Sequence, residues 1–204
     1  LGGAGTQTAG LAFGGYNSPT STEEYNGTSW TAGGNLGTGR YSLAGCGIQT
    51  AGLAFGGNVS PKQQTEEYDG SSWTAGGNLG TARYLLAGAG TQTAGLAFGG
   101  TTGSTTASTE LYDGSSWTSS TNMITGKSRL GGAGTQAAGL AFNGTLPPGT
   151  ITNQTEEFTS GASPFAAWST GGALTTSVDL NMGCGLQTAG LAFGGENPSG
   201  AVTT

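Results

Sequence analysis

Three pairs of adjacent glutamates come closest to a catalytic arrangement in this sequence. They are Glu23-Glu24, Glu66-Glu67 and Glu156-Glu157. Glycoside hydrolysis needs two carboxyl groups that flank one substrate. Each pair here falls in a predicted β-strand, in which neighbouring side chains point to opposite faces of the sheet. We therefore expect no paired-carboxylate catalysis, and we expect Glu24 and its equivalents to be solvated or paired with the basic set that begins with Arg40.

Nucleophiles and metal ligands are scarce. The chain contains two Cys and no His, and no Ser or Cys has a plausible base beside it in a motif. Cys46 and Cys184 hold the same position in two non-neighbouring copies of a repeat, which predicts small buried side chains and no disulfide. Asp69-Gly70 and Asp113-Gly114 lack the further oxygens of a calcium loop and predict hairpins with type I′ turns. The sequence therefore predicts a protein that is not an enzyme and has no cofactor and no metal site.

Composition by itself does not decide between a folded and a disordered chain. Gly supplies 43 of the 204 residues, as in low-complexity sequences, but charged residues make up only 8% and the net charge is −6. Five Lys and Arg are too few to displace counterions from phosphates, which argues against a nucleic-acid partner. The sequence has no run of 18 apolar residues, so we expect no membrane insertion. The order of the residues must therefore decide the class.

Internal repeats dominate the sequence. The pentapeptide AGLAF occurs at Ala9–Phe13, Ala51–Phe55, Ala94–Phe98, Ala138–Phe142 and Ala189–Phe193. A Tyr-to-Trp segment occurs at Tyr25–Trp30, Tyr68–Trp73 and Tyr112–Trp117, with a degenerate copy from Phe158 to Trp168. Every one of these Trp residues stands 25 positions before the next AGLAF phenylalanine, whereas the segment after AGLAF varies in length. Constant spacing indicates packed structure and variable spacing indicates an exposed loop. The units run approximately over 1–37, 38–80, 81–124, 125–175 and 176–204 of a single domain.

Each unit carries the signals of four short strands. In the third unit, Tyr84–Gly90 predicts a first strand, Ala94–Phe98 a second and Ser108–Tyr112 a third, and Trp117 opens a fourth. Four antiparallel strands per repeat are typical of a β-propeller blade. Within AGLAF the Leu and Phe share one face of the strand, while the Gly and second Ala share the other. We therefore expect the large side chains of one blade to pack on the small residues of the next.

These units resemble kelch repeats. A kelch blade has a basic residue, an apolar inner strand, a hydrophobic strand that ends in Gly-Gly, and then a spaced Tyr and Trp. Here the basic residues are Arg40, Arg83 and Lys127, and the doublets are Gly14-Gly15, Gly56-Gly57, Gly99-Gly100 and Gly194-Gly195. The fourth unit departs from the pattern with Asn143-Gly144 and Phe158, and the fifth has Val178 at the basic position. The resemblance covers essentially the whole chain and implies an all-β, five-unit kelch-like β-propeller with four-stranded antiparallel blades.

The nearly unchanged strings GTQTAGLAFGG and TEEYDGSSW are also similar to kelch-like repeat proteins of tailed marine bacteriophages. That resemblance implies a virion structural or binding module at the virion surface or outside the cell, such as a tail-fibre propeller. Its partners would be other virion or appendage subunits, or a host-surface glycan or protein, and it could form a homo-oligomer. The alternative is a secreted or cell-surface microbial adhesin or filament subunit, with a propeller glycosidase as a third reading.

The fifth unit has an inner hairpin, but its outer two strands have no counterpart within the 204 residues. Thr203-Thr204 falls where Thr22 and Thr65 stand, directly before the expected Glu-Glu-Tyr. Either the chain is a fragment of a longer product, or another segment completes the blade by edge pairing. We favour the fragment, because an unpaired edge promotes aggregation. A native mass near 19.9 kDa would contradict it.

Two sets of residues are candidates for binding. One Gln occurs in every turn between the first and second strands, so symmetry predicts a ring on one face that ties blades together or, less favoured, binds a sugar or peptide. The ring comprises Gln7, Gln49, Gln92, Gln136 and Gln187. The variable loops after AGLAF would form a second, varied surface on a rigid frame. Their candidate ligand-binding residues are Tyr16, Asn17, Asn58, Lys62, Thr101, Thr102, Pro147, Pro148, Glu196 and Asn197.

Overall fold

The computed structural model describes residues 1–17, 19–160, 166–178 and 182–193. These residues form an all-β structure of short antiparallel strands. The abundance of Gly and β-branched Thr explains this, because both residue types disfavour helices. No helix among the described residues is long and apolar enough to cross a membrane.

Each of the first four units folds into one four-stranded sheet whose strands pair in chain order. The first sheet contains β1 (Gly2–Thr6), β2 (Ala9–Phe13), β3 (Thr22–Tyr25) and β4 (Trp30–Ala32). The second contains β5 (Ala44–Ile48), β6 (Ala51–Phe55), β7 (Thr65–Tyr68) and β8 (Trp73–Ala75). The third contains β9 (Ala87–Thr91), β10 (Ala94–Phe98), β11 (Thr109–Tyr112) and β12 (Trp117–Ser119).

The fourth and fifth units vary this plan. The fourth unit has β13 (Gly131–Gly134) and β14 (Ala138–Phe142), then the separate hairpin of β15 (Thr145–Leu146) and β16 (Thr150–Ile151), and then β17 (Thr155–Thr159) and β18 (Ala167–Thr170). The hairpin occupies the segment that the sequence predicts as a variable loop. The fifth unit contributes the two-stranded sheet of β19 (Met182–Leu186) and β20 (Ala189–Phe193). The predicted four-stranded antiparallel sheets are thus confirmed for the first four units.

The first strand of the third unit begins later than predicted. The sequence predicts Tyr84–Gly90, whereas β9 covers Ala87–Thr91. Leu85 adopts a left-handed backbone conformation with φ of 54°, which is incompatible with a continuous strand. Tyr84 instead forms an isolated bridge with Thr101. The residues just after Arg83 therefore belong to the connection between sheets.

The predicted hairpins after Tyr68 and Tyr112 are present, but their turns are not of type I′. Tyr112 pairs directly with Trp117, which leaves four residues in the loop. Gly114 has a φ of 93°, while Asp113 keeps a negative φ. The Oδ1 of Asp113 accepts hydrogen bonds from the backbone N–H groups of Ser115 and Ser116 at 2.9 and 2.8 Å. A side-chain cap therefore replaces the second left-handed residue that a type I′ turn requires.

Large side chains of one sheet pack on glycines of the next, as the sequence predicts. A Cβ atom on Gly52 would lie 2.6 Å from the Leu11 Cδ2, and one on Gly95 would lie 2.9 Å from the Leu53 Cδ2. The ring of Phe98 covers Gly132 in the same way. Because these glycines have no side chain, adjacent sheets approach closely enough to bury Leu and Phe completely.

The inner strands follow one another around a common axis. β1 lies beside β5, β5 beside β9, β9 beside β13, and β13 beside β19. Equivalent glycines of the inner strands line two axial cavities of about 390 and 300 Å³. These glycines are Gly3, Gly45, Gly88, Gly132 and Gly183. The sheets are therefore arranged like blades around the axis.

Candidate functional site

Three buried ion pairs occupy most of the basic residues. The pairs are Arg40–Glu66 and Arg83–Glu110 at 3.1 Å and Lys127–Glu156 at 3.2 Å. Arg83 also donates hydrogen bonds to the carbonyl oxygens of Gly99 at 2.9 Å and Ser108 at 2.5 Å. Burial lowers the pKa of Arg83 to about 10, against the opposing effect of Glu110. These charges hold the ends of the strands together and are not exposed to a ligand.

Glu24 is half-buried and does not pair with Arg40, whose partner is Glu66. The hydroxyl of Tyr68, in the next unit, donates a hydrogen bond to the Glu24 carboxylate. Tyr112 makes the same bond to Glu67. The pKa of Tyr68 is raised to about 12, mainly by burial and secondly by the hydrogen bond to Glu24. Glu66, next to Glu67 in sequence, forms the ion pair with Arg40 instead, so the two carboxylates of this pair point apart as predicted.

The third interface replaces this polar contact with an apolar one. Leu111 stands where the two earlier units have Glu24 and Glu67. Phe158 stands where the second and third units have Tyr68 and Tyr112, the partners of those glutamates. Leu111 packs against the core cluster that contains Phe158. Both partners have changed, so neither a carboxylate nor a hydroxyl is left unpaired.

Four of the five predicted ring glutamines connect successive sheets. Gln49 Nε2 donates to the carbonyl oxygens of Gly10 at 3.1 Å and Tyr25 at 2.7 Å in the preceding unit. The equivalent pair of bonds is made by Gln92, Gln136 and Gln187. Gln7 is exposed and has no such pair among the described residues. These amides donate to backbone carbonyl oxygens of the preceding unit. The sequence allows a structural role or a binding role for the glutamines, and these bonds are of the structural kind.

The variable loops lie at the same end of the sheets as the connections between them, and we call this end the loop face. Backbone hydrogen bonds join the two kinds of segment: Gly15 N–H donates to Arg40 O at 3.0 Å, and Asn58 N–H donates to Tyr41 O at 2.8 Å. The opposite end, the turn face, carries the short turns that follow the inner strands. The loop face therefore carries loops that vary in sequence and length, while the turns between the first and second strands keep one length in every unit.

Tyr41 is the centre of the first contact on the loop face. The ring of Tyr16, from the loop of the first unit, meets the Tyr41 ring at 5.2 Å and 77°. The amide of Asn58, from the loop of the second unit, donates a hydrogen bond to the Tyr41 hydroxyl at 3.0 Å. Tyr41, which lies in the connection between the first two sheets, thus fixes side chains from two successive loops.

Tyr84 repeats this arrangement one unit further on. The Lys62 Nζ lies 4.5 Å from the centre of the Tyr84 ring, within the range of a cation–π contact. On the other side, the backbones of Tyr84 and Thr101 exchange two hydrogen bonds. Lys62 and Thr101 come from the loops of the second and third units, so Tyr84 also lies between two successive loops.

The remaining candidate residues of the variable loops are exposed or lie outside the described residues. Asn17 and Thr102 are exposed, and Pro147 and Pro148 lie in the exposed turn between β15 and β16. Glu196 and Asn197 lie outside the described residues.

The larger axial cavity opens beside these tyrosines. Three residues that follow the tyrosine position of their units line it: Ser42, Leu85 and Arg129. All three have a positive φ of 54° or 55° although none is Gly. Their backbones are joined in a chain, since Leu85 N–H donates to Ser42 O and Arg129 N–H donates to Leu85 O.

Sequence reasoning missed Tyr41, Tyr84 and the three residues that line the cavity. A signal was present, because Tyr41 and Tyr84 directly follow the basic residues Arg40 and Arg83. Cys46 is buried as a free thiol, and burial raises its pKa to about 12. Among the described residues, no group of three or more His, Cys, Asp or Glu is placed to hold a metal ion. What the loop face offers chemically is aromatic surface, amides, hydroxyls and the ammonium group of Lys62.

No protein-family model matches the chain, and no curated protein matches its sequence. Among solved structures the chain is similar to YjhT, a β-propeller protein, with a TM-score of 0.73. The two are 11% identical over 100% of this chain and 92% of that chain. At this identity the similarity bears on the fold alone, and together with the sheets it assigns the chain an all-β, propeller-like fold.

Proposed function

We propose that the chain is a non-enzymatic binding module, built as a five-unit kelch-like β-propeller, whose loop face contacts its ligand. The observation that carries the proposal is the pair of tyrosines, Tyr41 and Tyr84, each fixed between two variable loops beside an axial cavity. Binding surfaces are commonly loops of variable sequence on a rigid frame. The five equivalent glycines around one axis support the count of five units.

The module serves in our proposal as part of a virion appendage that contacts a host surface or a neighbouring subunit. The amino-acid sequence of the repeats supports this context, and the fold is compatible with it. Mass spectrometry of purified particles tests it, because a virion component must be present there in stoichiometric amounts. If the chain occurs only in a secreted or cell-surface fraction of a microbe, the adhesin or filament alternative replaces the virion.

Binding through the loop face is tested with cell envelopes. The labelled protein is incubated with envelope fragments from a panel of candidate bacterial hosts, together with the double variant Tyr16→Ala/Tyr41→Ala. Ile48→Ala is the matched control, since Ile48 is 53% exposed and lies at the turn face. We expect the double variant alone to lose binding. Equal binding by both variants would contradict the proposal.

A further inference from the structure

We infer that the ligand of the loop face is a polysaccharide that lies across the contacts centred on Tyr41 and Tyr84. The inference rests on the proposed function and names the chemistry of its ligand. Three features carry it: an exposed aromatic ring, neutral hydrogen-bonding groups on the same face, and the repetition of the tyrosine position in consecutive units.

The exposed ring is that of Tyr16, which is 79% exposed. Its contact with Tyr41 is close to perpendicular, at 77°, so Tyr41 fixes the ring without covering both of its faces. An aromatic ring held in this way presents a flat, preorganised apolar surface. The C–H face of a pyranose ring is a flat surface of similar size, and it packs on such a ring without needing a pocket.

Neutral polar groups lie on the same face as the ring. One N–H of the Asn58 amide is used by Tyr41, and the amide retains a second N–H donor and a carbonyl acceptor. Asn17 and Thr102 add exposed amide and hydroxyl groups at the same face. Groups that donate and accept match sugar hydroxyls, which also do both. An acidic or basic peptide would instead require a row of opposite charges.

The tyrosine position occurs twice in register, with different partners at each. Tyr41 and Tyr84 hold the same position in successive units, and each lies between the loop of the preceding unit and the loop of its own. A ligand built from identical units can use both contacts at once, which raises its apparent affinity over that of a single sugar. Lys62 lies only at the second contact, so it adds a cation that would favour a polymer containing uronates.

The test uses two oligosaccharide probes, a neutral β-glucan hexamer and a uronate hexamer, with affinities measured by calorimetry. We expect Tyr16→Ala to weaken binding about tenfold, and Tyr16→Phe to change it less than about twofold, because stacking needs the ring and not its hydroxyl. Ile48→Ala should leave the affinity unchanged. Lys62→Met should weaken binding of the uronate probe alone. Thermal melting of each variant shows that it is folded.

Envelope binding separates this inference from the proposed function. If neither hexamer binds, but periodate oxidation of envelope glycans abolishes binding through the loop face, the ligand is a polysaccharide of another composition and the inference holds. If protease treatment of the envelopes abolishes that binding and periodate leaves it intact, the partner is a protein and the inference is wrong, although the loop face still binds. If Tyr16→Ala/Tyr41→Ala binds envelopes as well as Ile48→Ala does, the proposed function itself is wrong.

Discussion

Replacement of Gly52 by Ala tests the packing of large side chains on glycine between sheets. The added Cβ would lie 2.6 Å from the Leu11 Cδ2 and 3.6 Å from the Tyr68 Cβ. Leu11 is 2% exposed, so it has no open space into which it can move. Such overpacking costs about 1–3 kcal/mol. For a domain of this size we expect the melting temperature to fall by roughly 2–4 °C for each kcal/mol.

Gly172→Ala is the matched control, because a Cβ at Gly172 has no atom within 4 Å and its φ lies outside the left-handed region. That change should be neutral or slightly stabilising, by up to about 1 kcal/mol. In the double variant Gly52→Ala/Leu11→Ala the clash is gone, so the cost should be smaller than the sum of the two single changes. The measurement is chemical denaturation of all four variants. A Gly52→Ala protein as stable as Gly172→Ala would refute the reasoning.

The stacking of sheets could be predicted from the sequence because it recurs. Leu and Phe alternate with Gly and Ala at the same positions in every AGLAF copy, and a periodic core imposes that pattern on each unit. The four strands per unit follow from the same regularity. The β15–β16 hairpin could not be predicted in this way, since it occurs once and its strands are two residues long.

The contacts between units were harder to predict. Tyr68 follows Glu24 by 44 positions, and nothing local indicates that they meet. Adjacent Glu residues look equivalent in sequence, although Glu66 pairs with Arg40 and Glu67 accepts from Tyr112. The joint change to Leu111 and Phe158 was the available signal. The loop face could be predicted as a surface, but the role of Tyr41 and Tyr84 depends on loops that are distant in the chain.

Three further predictions concern stability. Tyr112→Phe alone removes the hydrogen-bond donor to Glu67 and should lower the free energy of unfolding by about 1–3 kcal/mol. Tyr112→Phe/Glu67→Leu copies the third interface and should lower it less, as measured by denaturant unfolding. Equal costs would argue against the pairing. Arg83→Met leaves Glu110 buried without its cation and should cost about 3–5 kcal/mol, while Arg83→Lys, which copies Lys127, should cost less; the reverse order would contradict the buried-pair account. Hydrogen bonds, first of all with Ser72 N–H for Asp69 and with Ser116 N–H for Asp113, lower the pKa of both carboxyls to about 2, from 3.8. Their stabilisation is therefore present above about pH 4 and is lost as the pH falls through 2. Asp69→Asn/Asp113→Asn, which copies the uncharged Asn26 cap, should flatten this part of a pH series of melting temperatures, and an unchanged slope would show that these turns do not cause it.

Hydrogen–deuterium exchange of the protein with and without bound envelope fragments tests most directly the claim that the loop face binds. Protection is expected in the backbone around Asn58 and Tyr84, while the turns that carry Gln49 and Gln92 should exchange as they do in the free protein. Protection confined to those turns, with the loop face unchanged, would contradict the account.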